Sequence, residues 1–277
     1  MLVTGCSSGI GLATAEQLRS GGWSVFPTAR KPEDLEMLRG KGFEPIELDL
    51  VSSASVAAAV EQLLAKSGGN LGAVVNNAGF GMPGAMEDLT REAMREQFEV
   101  NLFGLQELTN WLIPVFRRQG FGRIVNVSSV VGRLSLPFLG IYSASKFALE
   151  AVSDAQRVEL AQHMITVSLV EPGPIRTKFS ANCTRQGEAK LDTTGSLFGR
   201  AYKNYFDQRR NGGMAEDRFR LPPEAVARKI VHALESRHPR IRYQVTVPAY
   251  LGAWAARFLP TGLLDRIMVR QVKKRFR

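Results

Sequence analysis

Seven short apolar runs, separated by segments long enough for helices, constrain this chain more than any other feature of it. The runs fall at residues 1–3, 23–29, 44–50, 72–76, 123–128, 165–170 and 242–247, and the last four are rich in Val and Ile. Helical patterns lie between them, at about residues 10–19, 53–66, 90–119, 142–163 and 223–236. Strands joined through helices pair in parallel, because the return to the same end of a sheet takes a crossover of a dozen or more residues. The expected fold is α/β: a Rossmann-type doubly wound parallel sheet. With 277 residues, 44% of them apolar, there is ample material for one core, and residues 1–277 are read as a single domain.

Two stretches depart from the alternation. Residues 180–220 are polar and weakly periodic, and too long for an ordinary loop. They read as a substrate-covering insert between a cofactor and catalytic core, 1–179, and a C-terminal region, 221–277, that carries the last helix and strand and an extension. The long helical region 90–119 is expected to break near Pro114, which has no backbone N–H to give.

In an open α/β sheet, ligands bind beyond the carboxyl ends of the strands. After the first run comes Thr4-Gly5-Cys6-Ser7-Ser8-Gly9-Ile10-Gly11, a glycine-rich turn that opens a helix. Glycines let backbone approach a pyrophosphate, and the helix N-terminus presents free N–H groups. The spacing is GxxxGxG, not the GxGxxG of the usual dinucleotide fingerprint. Only three residues precede Thr4, against about 5–6 in a usual strand, so the start is expected to be truncated or misassigned. After the second run stands Arg30, where an acid would bond a ribose 2′-hydroxyl and an arginine accommodates a 2′-phosphate. Glu33 and Asp34 follow Pro32 and read as the first turn of a helix. The turn and Arg30 together favour NADP(H) over NAD(H).

Tyr142 and Lys146 are four residues apart in a run without Gly or Pro until Pro172-Gly173, so a helix places them on one face. A cation beside a phenol lowers its pKa, and a lowered tyrosine can exchange a proton near neutrality. Ser129 sits at the carboxyl end of the fifth run, where its hydroxyl can meet a ligand. Taken alone, a Tyr and a Lys at this spacing are usually a solvated helix face.

In order along the chain, Thr4 to Gly11, Asn76-Asn77-Ala78-Gly79, Asn101, Ser129, Tyr142-x-x-x-Lys146 and Pro172-Gly173-Pro174-Ile175-Arg176-Thr177 resemble the motifs of the short-chain dehydrogenase/reductase family. The resemblance spans about residues 1–247 and is specific because six motifs keep their order. It implies that Tyr142 donates or accepts the proton, that Ser129 bonds the substrate oxygen, and that Asn101 anchors a water in a proton relay. Lys146 would hold the nicotinamide ribose and lower the pKa of Tyr142. The cofactor would meet Gly5, Ser7, Ser8, Gly9, Ile10 and Arg30 around its pyrophosphate and adenosine, Asp49 and Leu50 at the adenine, Asn77, Ala78 and Gly79 at the ribose, and Pro172, Gly173, Ile175 and Thr177 on the nicotinamide side. Within the family the chain is similar to hydroxysteroid and retinol dehydrogenases and to bacterial NADP-dependent aldehyde reductases. That implies an oxidoreductase acting on a lipophilic aldehyde, ketone or alcohol, and a homodimer or homotetramer through the long helices around Asn101 and Tyr142. The alternative, a dinucleotide-binding regulator without turnover, has no need of Asn101, Ser129, Tyr142 and Lys146 together.

The formal charge is +10, of which +6 lies in residues 257–277. A basic tail rather than a basic groove argues against nucleic acid. Trp254, Phe258, Leu259, Leu263, Leu264, Ile267 and Met268 form a helix-like apolar segment beside that charge. It reads either as a cover over the substrate pocket or another subunit, or as a weak peripheral contact with anionic lipid. Cys6 and Cys183 have neither disulfide nor metal spacing, and His163, His232 and His238 share no ligand spacing, so no metal is expected. With no leader and no 18-residue apolar run, a cytoplasmic location is expected.

Overall fold

The computed structural model describes residues 1–191, 193–210 and 219–276. Seven strands, β1 (Leu2–Val3), β2 (Phe26–Ala29), β3 (Ile46–Glu47), β4 (Ala73–Asn76), β5 (Gly122–Val127), β6 (Ile165–Pro172) and β7 (Arg242–Val245), form one sheet. Every pairing is parallel and the order is β3-β2-β1-β4-β5-β6-β7. The order reverses between β1 and β4, and that switch point opens a crevice at the carboxyl ends of the strands. The fold is the expected Rossmann-type doubly wound sheet.

The helices are α1 (Gly9–Ser20), α2 (Pro32–Gly40), α3 (Ser53–Lys66), α4 (Arg91–Phe98), α5 (Gly104–Gln119), α6 (Gly140–Glu159), α7 (Phe179–Lys190), α8 (Gly199–Arg210), α9 (Pro223–Glu235), α10 (Val247–Phe258) and α11 (Thr261–Phe276). Alternation along the strands divides the core into two layers. Leu2, Val74 and Ile124 pack with Val56 and Leu63 of α3 and Leu108, Leu112 and Phe116 of α5. Their neighbours Val3, Val75 and Val125 face the other way, onto Leu18 of α1 and Val226 and Ile230 of α9. Each such side chain contributes about 1.5–3 kcal/mol on burial.

Two expectations change. Residues 90–119 do not break at Pro114, which lies inside α5 on its exposed face, where the carbonyl it leaves unpaired meets water. The interruption is a π-helical turn at Glu99–Phe103, which carries Asn101. Residues 179–190 and 199–210 are helical, although their sequence periodicity is weak. They bury Cys183, Leu191, Tyr202 and Phe206 among themselves and against Met82, Leu89 and Ile141. Position 192 and positions 211–218 of the expected insert lie outside the described residues. α11 packs on α8, and α10 packs on the 3₁₀ turn Val130–Gly132 that follows Ser129.

Candidate active site

The glycine-rich turn is closed from behind by β4. Thr4 Oγ1 accepts from the backbone N–H groups of both Asn77 and Ala78 at 2.9 Å, and Asn77 Nδ2 donates to the Thr4 carbonyl at 2.8 Å. Gly5 and Gly9 have φ of +71° and +63°, which L side chains rarely adopt, and a Cβ on Gly5 would fall 2.8 Å from Ala78 Cα. Ser8, extended at φ −173°, precedes α1 without a side-chain cap, and the first turn of α1 holds no acid. Uncapped N–H groups facing a crevice at a positive helix end fit a pyrophosphate. Ser7 and Ile10 line the same half-buried rim.

Arg30 stands exposed at the end of β2, 4.0 Å from Asp49 Oδ2. Asp49 turns its other oxygen to the Val51 N–H, and Leu50 is buried beneath the start of α5. On the far side of the crevice, Thr177 lies 3.0 Å from where a Cβ on Gly9 would be, which brings the segment after β6 over the glycine turn. The Gly173 N–H donates to Val245 O at 3.0 Å, and Ile175 bridges to Leu221. The residues expected at a dinucleotide therefore converge on one crevice whose chemistry fits that group.

Tyr142 and Lys146 rise from one face of α6, both buried. Ser129 caps the short turn Val130–Gly132, and its hydroxyl donates to Pro172 O at 3.4 Å and lies close enough to the Tyr142 phenol to favour its ionised form. A Cβ on Gly79 would lie 3.1 Å from Asn101 Oδ1 and 3.7 Å from Lys146 Nζ, so Gly79, Asn101 and Lys146 meet at one point. The four expected catalytic residues are thus brought together.

Two of them stand in surroundings that spacing does not show. Burial pushes the Tyr142 phenol up, the neighbouring Cys183 thiol adds to that, and Ser129 only partly offsets them. Lys146 donates to Val127 O at 2.9 Å, and burial draws its ammonium down to about 8. Spacing shows that two groups are neighbours but not that both are desolvated, and desolvation disfavours both charged forms. Asn101 is fully buried with its amide already committed: Nδ2 donates to Phe80 O and Ser145 Oγ, and Oδ1 accepts from the Phe80 N–H. Its side chain holds the segment after β4 in place.

Other residues of the site have no motif to reveal them. Gln97, one turn before Asn101, accepts from the Met82 N–H at 2.7 Å and donates to Phe80 O at 2.8 Å. The Phe179 ring lies 5.6 Å from that of Tyr142, and Cys183 Sγ sits 3.0 Å from where a Cβ on Gly81 would be. These α7 residues give Tyr142 an apolar wall. Cys6, by contrast, packs with its thiol on Val3 O, and burial pushes it up to about 12, as suits a structural thiol.

The family model described as short chain dehydrogenase matches residues 1–188. The chain is a short-chain dehydrogenase/reductase. This dehydrogenase/reductase is 42% identical over 269 residues to an uncharacterized oxidoreductase, YbbO, of Escherichia coli K12, covering 97% of this chain and 93% of that protein. An NADPH-dependent 3-dehydrocapnine reductase of Ornithobacterium rhinotracheale is 34% identical over 99% of this chain and 97% of its own length. Retinol dehydrogenase 16 of Homo sapiens is 35% identical over 97% and 87%. Among solved structures, a short-chain dehydrogenase/reductase from Burkholderia phymatum in complex with NAD superposes with a TM-score of 0.77 at 26% identity, covering 92% of this chain and 90% of that one. The chain is therefore an oxidoreductase of the type that acts on CH–OH and carbonyl groups with a nicotinamide dinucleotide.

Proposed function

We propose that this oxidoreductase is NADP(H)-dependent and reduces a lipophilic aldehyde or ketone to its alcohol. The observation that carries the reading is the meeting of the Tyr142 and Ser129 hydroxyls at the carboxyl end of the sheet, against the apolar wall of Phe179, Gly81 and Cys183. The bound nicotinamide would supply or accept the hydride. Ser129 and Tyr142 orient the carbonyl oxygen and stabilise the charge that develops on it. Tyr142, held protonated by its burial, delivers the proton to that oxygen in the direction of reduction. Lys146 holds the nicotinamide ribose, and Asn101 and Gln97 fix the Phe80 segment between them. Arg30 supports the 2′-phosphate, because it is the cation at the end of β2 and its pairing with Asp49 is long. Helices α7 and α8 are assigned to cover the substrate.

NADPH oxidation by the purified protein with aliphatic, aromatic and retinoid aldehydes, alongside Tyr142→Phe, tests the reading. Turnover that vanishes in the variant while NADPH still binds is the expected result. Tight NADPH binding without turnover across the panel would favour the dinucleotide-binding regulator.

Two further contacts complete the reading. A homo-oligomer is assigned to α5 and α6, where Trp111 and Val158 are exposed beside a cavity of about 460 Å³ lined by Asn110, Ile113, Val152 and Gln156. A peripheral lipid contact of an otherwise cytoplasmic protein is assigned to the C-terminal helices. Val247, Tyr250, Leu251, Trp254 and Phe258 form one stripe of α10 and are 52–62% exposed, with Arg257, Arg266, Arg270 and Lys273 also exposed nearby. No helix among the described residues is long and apolar enough to cross a membrane. Sedimentation with phosphatidylglycerol vesicles that is unchanged in a Trp254→Glu, Phe258→Glu double variant would remove this assignment.

A further inference from the structure

Directly behind the catalytic pair lies a cluster that the proposed chemistry leaves unused. Glu150 is one helical turn beyond Lys146 on α6 and is buried, as is Glu171 on β6. Both carboxylates close on one guanidinium nitrogen: Arg242 Nε lies 3.1 Å from Glu150 Oε2 and 3.2 Å from Glu171 Oε1. Arg242 also donates to Asp154 at 2.6 Å, and Asp154 is paired at its outer side with Arg157 at 3.4 Å. The remaining groups around Glu150 are Arg133, no nearer than 3.9 Å, and Ser128. Gln244 donates to the far oxygen of Glu171 at 2.7 Å. Two buried carboxylates thus share one close cation, an arrangement that costs free energy unless a further positive charge faces it.

Lys146 is that charge. Its own hydrogen bond goes to a neutral carbonyl, that of Val127, so among the described residues this buried ammonium has no direct ionic partner within bonding distance. Residues four apart on a helix are neighbours, and Glu150 acts on Lys146 in the direction that keeps it charged. The cluster is fastened to three segments that carry the site: α6 with Tyr142 and Lys146, Ser128 beside Ser129, and Glu171 just before Pro172 and Gly173. We propose that Glu150, clamped with Glu171 on Arg242, is a positioning residue of the catalytic centre that holds Lys146 in place in its charged form. The proposal rests on the reading of Tyr142 and Lys146 given above.

The test follows Lys146 directly, by ¹³Cε NMR titration assigned with Lys146→Arg, and in parallel follows the pH dependence of kcat/KM. In Glu150→Gln the Lys146 titration is expected to move to lower pH. The alkaline limb of kcat/KM moves with it, so activity at high pH relative to each enzyme's own optimum falls at least about threefold, the equivalent of half a pH unit. Glu150→Asp keeps the charge but draws it back by one methylene, and is expected to move both readouts the same way by less. A folded Glu150→Gln with both unmoved overturns the proposal. Should that variant not fold, an unmoved Lys146 titration in Glu150→Asp overturns it. Absence of turnover in the wild type would count against the reductase reading alone, since the NMR titration needs no substrate.

Discussion

Replacing Gly104 by alanine should damage both the core and the site through a single methyl group. Gly104 opens α5 immediately after the π turn and is buried against Leu50, in the turn that follows β3. A Cβ there would lie 1.8 Å from the Leu50 carbonyl oxygen and 2.7 Å from its carbon, both backbone atoms that no rotamer change can move. To reach even 3.0 Å, the helix and the Leu50 turn must part by about 1.2 Å. A radial gap of about 0.5–1 Å already forfeits a quarter to a half of the dispersion energy between packed atoms. The layer at risk includes Leu108, Leu112, Val115 and Phe116 against α3. Overpacking costs about 1–3 kcal/mol, and the rigidity of both partners puts this case at about 3. In a chain of this size that lowers Tm by about 6–12 °C, at about 2–4 °C per kcal/mol. Thermal unfolding followed by circular dichroism measures it, with Gly40→Ala as control, since nothing lies within 4 Å of a Cβ at Gly40. NADPH affinity should fall in the same variant if Leu50 meets the adenine, as the family resemblance implies. A Gly104→Ala protein that melts within about 2 °C of wild type would show that the crossing of α5 over Leu50 is not the tight contact described.

Three further outcomes are expected. Lys146 is charged below its value of about 8 and neutral above it, so kcat/KM should hold on the acid side and fall about tenfold per pH unit on the alkaline side; a flat profile to pH 10 would contradict it. Arg30→Ala should weaken NADPH binding about 10- to 100-fold, the worth of a charge-assisted hydrogen bond, and leave NADH binding unchanged in a fluorescence titration. Asn101→Ala leaves the Phe80 N–H without its side-chain partner and the Phe80 carbonyl with Gln97 alone, so it should cost about 2 kcal/mol in denaturant unfolding as well as lowering kcat.

What could be read from the sequence was what is local. The alternation of strands and helices, the turn from Gly5 to Gly11, and the four-residue step from Tyr142 to Lys146 depend on neighbours in the chain, and all are present in the folded protein. What could not be read depends on distance and burial. The electrostatics of Tyr142 and Lys146 follow from desolvation, which spacing does not report. Pro114 is a strong local signal for a break, yet its exposed position makes the break unnecessary. The π turn at Asn101 carries no such signal, since it arises where the helix must bring that amide to Phe80. Glu150 and Arg242 are separated by 92 residues, and nothing in either segment marks the other. Cys183 and Phe179 sit in a stretch of weak periodicity and become part of the site only because α7 folds back over Tyr142.

The π turn also gives the length of this chain a meaning separate from its composition. One extra residue in a helix turns everything beyond it by about 100°, the angle each residue occupies in an α-helix. α4 and α5 are therefore set in different phases, one aiming Gln97 and Asn101 at Phe80, the other aiming Leu108 and Phe116 at the sheet. Deleting Leu102 would join them into one regular α-helix with better backbone geometry than the native one. It would also force a choice between the two faces, keeping either the oily seam against α3 or the amide clasp beside Lys146. In this oxidoreductase the irregular turn is a spacer between two faces that one regular helix could not serve at once.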